Sequence, residues 1–457
     1  MAMHTCKARA ADMQHVHMKG TRTVEEAVRL VAKRVSAAPP GEWIQGAGWD
    51  QNIWPERAFP NKGMLDAVAT DNPVLLSHTS GHCTWVNSAA LEAAGITANT
   101  GAPIGGAIDR DGDGDPTGIL RDHASNLAYV AMPSPTAAAR EANLLAAQRH
   151  AHSLGLTGVH AMDVQTSELE SLEKLHGEGR LSLRVRAYFA APQLERFEGR
   201  RSWDGDDVLR VGGTKFFSDG ALGSLTAWTH EPFEGTDDRG LPLQPIKELE
   251  ERVRLAPAIH AIGDRANSEV LTLLDRVRNI RPKLPRRIEH AQLLGEGDLE
   301  RFVDLDVSAS VQPIHLTQDY EKVDRSWGDR GRLAYMFQSF LRSNMNLAFG
   351  SDTPVETMNP LVGIHAAVTR QQANSAPEGG WYPEERVSLE DATRAYSTDC
   401  AAAAGESHRF GRIAKGYAAD FVMLDRDIFS LKDHHEILAA KVDVTIAGGN
   451  IVYERGG

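Results

Sequence analysis

Four side chains in this sequence, Lys215, His260, His290 and Asp352, each close a short apolar segment, and together they offer the donors that bind and use a metal ion. His260 lies in Ala258-Ile259-His260-Ala261-Ile262-Gly263-Asp264, and His290 in Ile288-Glu289-His290-Ala291-Gln292. Alone, a histidine among apolar neighbours is more often a hydrogen-bonded core residue than a ligand. Two successive strands that both end in one change the balance, because imidazole nitrogens and a carboxylate at about 2 Å are the set a catalytic zinc takes. Lys215, in Gly213-Thr214-Lys215-Phe216-Phe217, needs something to neutralise it, since an uncompensated ammonium buried among aromatics is costly. Asp352, in Ala348-Phe349-Gly350-Ser351-Asp352-Thr353-Pro354, has the setting of a helix cap before a proline. With the two histidines upstream, a carboxylate that contacts a metal and accepts a proton from the attacking water is the better account.

The elements that must position these groups are short strands alternating with longer amphipathic segments from about residue 150 onward, the rhythm of β/α units and a parallel sheet. Seven segments read as strands: Thr157–Asp163, Arg184–Ala190, Val211–Phe217, Ala258–Gly263, Arg287–Leu294, Val307–Ile314 and Asn346–Gly350. Helices are expected over Thr136–Leu154 and Ile246–Leu255. Catalytic groups of a parallel barrel project from the C-terminal strand ends, which is where these four residues fall. Residues 39–135 are rich in Gly, Pro and Asn and read as an insertion, not as regular β/α units. Toward the C-terminus, Asp420–Leu424, Val444–Ile446 and Ile451–Tyr453, with a turn at Gly448-Gly449-Asn450, read as a small β-structure. The expected division is a barrel over 1–410 and part of a β-sandwich over 411–457.

A chain of 457 residues accommodates one large barrel with appendages. The formal charge of −13, with no Lys/Arg-rich block, argues against a nucleic-acid partner, and no apolar run is long enough for a membrane span. Three scattered cysteines, Cys6, Cys83 and Cys400, make no disulfide framework, and residues 1–7 have no signal-peptide core, so a cytoplasmic location is expected.

The order of motifs resembles the amidohydrolase superfamily, and the surrounding text is similar to its YtcJ-like branch, the amidohydrolase 3 family. The matching stretches are Trp43-x-x-Gly46-x-Gly48-Trp49-Asp50, Ser80-Gly81-His82-x-x-Trp85-Val86-Asn87-Ser88, Lys215-Phe216-Phe217-Ser218-Asp219-Gly220, His260-Ala261-Ile262-Gly263-Asp264-Arg265-Ala266, Glu289-His290-Ala291-Gln292 and Gly350-Ser351-Asp352-Thr353-Pro354-Val355. The resemblance implies a TIM-like (β/α)8 barrel of the metal-dependent hydrolase type. It also implies cleavage of a non-peptide C–N bond in a small-molecule amide by metal-activated water. Zinc is the foremost candidate, as one ion or two. His4, Lys215, His260, His290 and Asp352 would be the metal residues, with Lys215 carboxylated and Asp352 moving the proton. His82, Trp85 and His315 are expected at the substrate, His82 also as a stabiliser of developing negative charge. A homodimer is compatible with this reading.

Two motifs invite other readings. Asp109-x-Asp111-x-Asp113-Gly114 imitates a calcium loop, but its twelfth position is Leu120 where a bidentate Glu belongs, so a solvated turn is expected. His15-Val16-His17 imitates the His-x-His that ends the first barrel strand in the superfamily. It follows no apolar strand, and counting back from Thr23-Val24-Glu25-Glu26-Ala27 puts that signature at Ala2-Met3-His4. The first barrel strand is therefore expected to be missing, as in an N-terminally truncated copy, with a gap in the sheet and impaired activity. The rival readings are a barrel that serves as an interaction protein without metal, and a metal hydrolase or isomerase acting on another bond.

Overall fold

The computed structural model describes residues 2–4, 16–191, 193, 204–252, 257–279 and 285–456. The chain forms two compact units, one of residues 1–10, 136–218 and 245–457, the other of residues 11–135 and 219–244.

The first unit is organised on eight parallel strands in the order β1 (Ala2–His4), β8 (Gly158–Val164), β9 (Arg184–Ala190), β10 (Leu209–Phe217), β11 (Pro257–Ala261), β12 (Arg286–His290), β13 (Val307–Val311) and β14 (Leu347–Phe349). Sequential parallel neighbours joined by crossover helices fit a TIM-like barrel. Every residue of β11 and β13 is buried, as expected of parallel strands covered on both faces. The packing of Val159, Ala161, Val185, Ala187, Phe189, Leu209 and Val211 with Leu169, Leu172 and Leu175 of the helix Thr166–Gly177 makes one core of this sheet. A helix over Ala137–Ser153 starts at Thr136, whose side chain accepts from Ala139 N. The other expected helix is described over Ile246–Arg252, and residues 253–256 lie outside the described residues.

The first strand is not missing. Ala2–His4 pairs in parallel with β8, with Ala2 opposite His160, Met3 opposite Ala161 and His4 opposite Met162. Three residues show no periodicity that sequence inspection can detect; an adjacent strand edge with unpaired backbone groups is enough to seat them. A second correction concerns β13, which ends at Val311 and not at Ile314. Pro313 cannot donate to a sheet ladder, but it suits the first turn of a helix, and Pro313–Trp327 is helical with Gln312 as its N-cap. His315 therefore stands on a helical turn. β12 likewise stops at His290, because His290 and Ala291 take left-handed backbone angles (φ 74° and 41°) that end an extended run.

The C-terminal strands β15 (Phe421–Leu424), β16 (Val442–Ala447) and β17 (Asn450–Glu454) form the expected antiparallel sheet, with Gly448 and Gly449 at φ 58° and 82° in the tight turn between the last two. They cluster with the first unit, where Arg184 pairs with Asp420 at 2.8 Å and Thr445 Oγ1 donates to His152 O at 2.7 Å.

The second unit is broader than the expected insertion and has regular structure. Its sheet runs β2 (Val16–His17), β3 (Ile44–Trp49), β4 (Val74–His78), β5 (Cys83–Val86), β7 (Pro116–Asp122), β6 (Gly106–Arg110). The β2–β3–β4 pairs are parallel and the rest antiparallel. Trp49, Trp54 and Trp85 fill its core with Val31, Leu65, Leu76 and Ile119. Residues 111–115 form an exposed hairpin turn, in which Asp111 accepts from the backbone of Asp113 and Asp115, while Asp109 pairs with Arg121. The calcium-like motif is thus a turn, as expected. Among the described residues, no helix is long and apolar enough to cross a membrane.

Candidate metal centre

The sheet register decides which strand ends meet. Phe217 is level with His260, and Ala261 with His290, so the close of β10 meets the closes of β11 and β12. His260 and His290 stand edge to face with ring centroids 4.5 Å apart, and the Phe217 ring lies 5.3 Å from His260. The His260 carbonyl is held by Ser218, whose N–H and hydroxyl both donate to it at 3.1 and 2.5 Å.

Beyond His290 the ring of His315 stacks nearly parallel at 6.0 Å, and His315 Nε2 lies 3.8 Å from Asp352 Oδ2. One ligand atom each from His290, His315 and Asp352 falls within 4.8 Å of the others. His315, which sequence reading expected at the substrate, thus stands in a group of three side chains whose donor atoms are close enough together that they could hold a metal ion. The missed signal was Pro313, which starts a helix and turns the third residue after Gln312 back toward the preceding strand ends.

Asp163 near the end of β8, His290 at the end of β12 and Asp352 three residues past β14 have φ of 57°, 74° and 56°. Such backbone angles cost a side-chain-bearing residue of order ~1–3 kcal/mol each.

Lys215 on β10 is fully buried, its Nζ has no hydrogen-bond partner among the described residues, and the Phe217 ring centroid is 4.7 Å away. Burial pulls its pKa down to about 8, against the raising influence of Glu289 and Asp163, while Arg287 adds to the lowering. Arg287 and Glu289 alternate on β12 and so share one face. Their ion pair is buried; Arg287 also reaches Ser310 Oγ at 2.6 Å and His160 Nδ1 at 2.7 Å. Burial opposes the charge on Arg287, but Glu289 and Tyr188 together outweigh it and hold the guanidinium above its ordinary value. Burial and then Arg287 hold His160 well below its own, so His160 stays neutral and accepts from the guanidinium at Nδ1. Sequence reading missed these three; the i, i+2 pair Arg287 and Glu289 inside a buried strand was the available signal.

The remaining expected site residues divide. His4 is placed on β1, and its side chain lies outside the described residues, as does His15. His17 is on β2 of the second unit and exposed, in keeping with its reading as a short extended segment. His82 is half-buried in the second unit, its Nδ1 2.7 Å from Asp122 Oδ1, a carboxylate whose own backbone is left-handed (φ 47°). Trp85, expected at the substrate, is fully buried in the second unit. Its indole packs against Trp49 at 6.1 Å and donates from Nε1 to Asn61 O at 2.9 Å, so both its apolar surface and its single donor are used inside the unit's core.

A parallel β/α sheet that gathers histidines, an aspartate and a buried lysine at its C-terminal strand ends defines a class, the hydrolases of the barrel type. In particular, the chain belongs to the amidohydrolase family, whose model (Amidohydro_3) matches residues 3–453. It is 32% identical over 449 residues to YtcJ of Bacillus subtilis (strain 168), covering 95% of this chain and 84% of that protein. It is 28% identical over 461 residues to the N-substituted formamide deformylase of Arthrobacter pascens, covering 95% and 83%. Among solved structures, an uncharacterized metal-dependent hydrolase from Pyrococcus horikoshii OT3 superimposes with a TM-score of 0.75 at 28% identity, covering 94% of this chain and 86% of that one.

Proposed function

We propose that this protein is a metal-dependent amidohydrolase that cleaves a non-peptide C–N bond of a small-molecule amide, with N-substituted formamides the first class to try. The carrying observation is the convergence of His290, His315 and Asp352 within 4.8 Å, with His260 in ring contact with His290. Two imidazoles and a carboxylate on rigid strand and helix ends are the donor set of a catalytic zinc site, so the residues fit such an ion. His260, His290, His315 and Asp352 would hold it, with His4 as a further candidate from β1. A divalent ion supplies Lewis-acid polarisation and water activation when bound.

The protein's own groups do the rest. Asp352 takes a proton from the attacking water on its carboxylate and returns it to the leaving nitrogen. Lys215, lowered to about 8, exists in part as the free amine near neutrality. That amine adds CO₂ and loses a proton, giving a carbamate whose negative charge replaces a costly buried cation and supplies a further oxygen donor. Buried Glu289 and Arg287 pair with each other and fix the wall beside it.

The test is elemental analysis of purified protein, together with a panel of N-formyl and N-acyl amides assayed with zinc and bicarbonate supplied. The expected result is bound divalent metal and turnover of at least one amide, with metal and turnover lost in His290→Ala and His315→Ala and kept in His17→Ala. Metal retained in both of the first two variants would overturn the ligand assignment, and turnover confined to esters or halides would overturn the bond.

A further inference from the structure

Gln312 stands between β13 and the helix Pro313–Trp327, and it is buried. It occupies the N-cap position, yet its side chain makes no capping bond to the helix. Instead its Nε2 donates to Ser310 O at 3.2 Å, and its Oε1 lies 2.7 Å from His290 Nδ1. The first contact orients the amide, because a peptide carbonyl only accepts and must meet the NH₂ end. The oxygen is thereby turned to the imidazole, and an amide oxygen also only accepts. The proton of the neutral His290 ring is then on Nδ1, which leaves Nε2 as the ring's one electron-pair donor.

We propose that Gln312 is a positioning residue that fixes His290 in the Nδ1–H tautomer and assigns Nε2 as its metal-donor atom; the inference rests on the metal-dependent reading above. A ring held at one nitrogen by an oriented acceptor has its rotation and tautomer decided before the cation arrives, and the acceptor raises the basicity of the other nitrogen. Gln312 and His315 are three residues apart, so one strand-to-helix junction supplies both a ligand and the group that orients a neighbouring ligand. Pro313 between them holds that junction in shape.

The experiment uses the full chain stripped of metal by chelation, with Co²⁺ as the probe, read by its visible absorption and by competition for affinity. Imidazole ¹⁵N resonances of the metal-free protein report the tautomer. The wild type is expected to show His290 protonated at Nδ1. Gln312→Leu should bind Co²⁺ about 10–100-fold more weakly, with an altered band and a mixed tautomer signal. Gln312→Glu keeps an oxygen facing Nδ1 and should bind at or near the wild-type affinity, which a purely structural role for the amide would not produce. Unaltered Co²⁺ affinity and spectrum in Gln312→Leu would overturn the inference. So would an Nε2–H tautomer in the metal-free wild type, which settles the matter even where the leucine variant does not fold. A wild type that takes up no Co²⁺ at all would overturn the metal reading itself, a distinguishable failure.

Discussion

Lys215 is costly to bury as an ammonium, because the nearby carboxylates Glu289 and Asp163 only partly offset its desolvation and Arg287 works against them. Conversion of the amine to an anionic carbamate resolves the conflict, and it predicts chemical rescue. Lys215→Ala should lose more activity than the about 10–100-fold typical of changes to outer-shell partners, and small carboxylates such as acetate or propionate should restore part of it. Lys215→Arg should not be active, since its guanidinium stays cationic. Steady-state rates with and without added carboxylate check this, and full activity in the arginine variant would remove the carbamate from the reading. The four residues with chemical potential were legible as residues, since Lys215, His260, His290 and Asp352 each close an apolar run. The approach of His315 to Asp352 was not, because it depends on where a strand stops.

Elements bring a different kind of sensitivity. The helix Pro360–Thr369 is tied to the 3₁₀ turn His434–Ala439 by a hydrogen bond of 2.9 Å between His365 Nε2 and His435 Nδ1. One ring must donate and the other accept, so the bond requires at least one neutral imidazole. Burial first, and then His435, lower the pKa of His365 from 6.5 to about 4, with Asp433 opposing. The unfolded chain takes up this proton near 6.5 and the folded chain resists it, so the pair's contribution is complete above that pH. It is lost as pH falls from about 6.5 toward 4. Urea midpoints measured across that range should fall for the wild type and fall less steeply for His365→Gln; parallel profiles would show that this histidine is not the titrating group. Element types were largely readable. β9 falls on Arg184–Ala190 as the alternation predicts, and the C-terminal strands lie where their apolar runs and Gly-Gly turn put them. Boundaries were less readable wherever a left-handed residue or a proline decides them, as at His290 and Pro313.

At the scale of the whole molecule, the chain divides between a parallel β/α unit and a second unit with its own mixed sheet and its own tryptophan-filled core. Trp85→Ala should therefore act on folding and not on substrate affinity. A fully buried Trp replaced by Ala costs about 3–5 kcal/mol, so the second unit should lose most of its resistance to denaturant, as read by tryptophan fluorescence. Unchanged stability with a raised KM would return Trp85 to the substrate. What the sequence by itself determined is the family, the parallel β/α rhythm and four strand-end residues, because each is carried by a local pattern of apolar runs and the residue that ends them. The tertiary structure decided what depends on partners distant in the chain. It seated Ala2–His4 on the edge of β8, a strand too short to show periodicity. It sent Trp85 into a core because a complementary set of apolar side chains surrounds it. It brought His315 to Asp352 because a proline stops one strand and starts a helix, a change of direction that spacing along the chain cannot express.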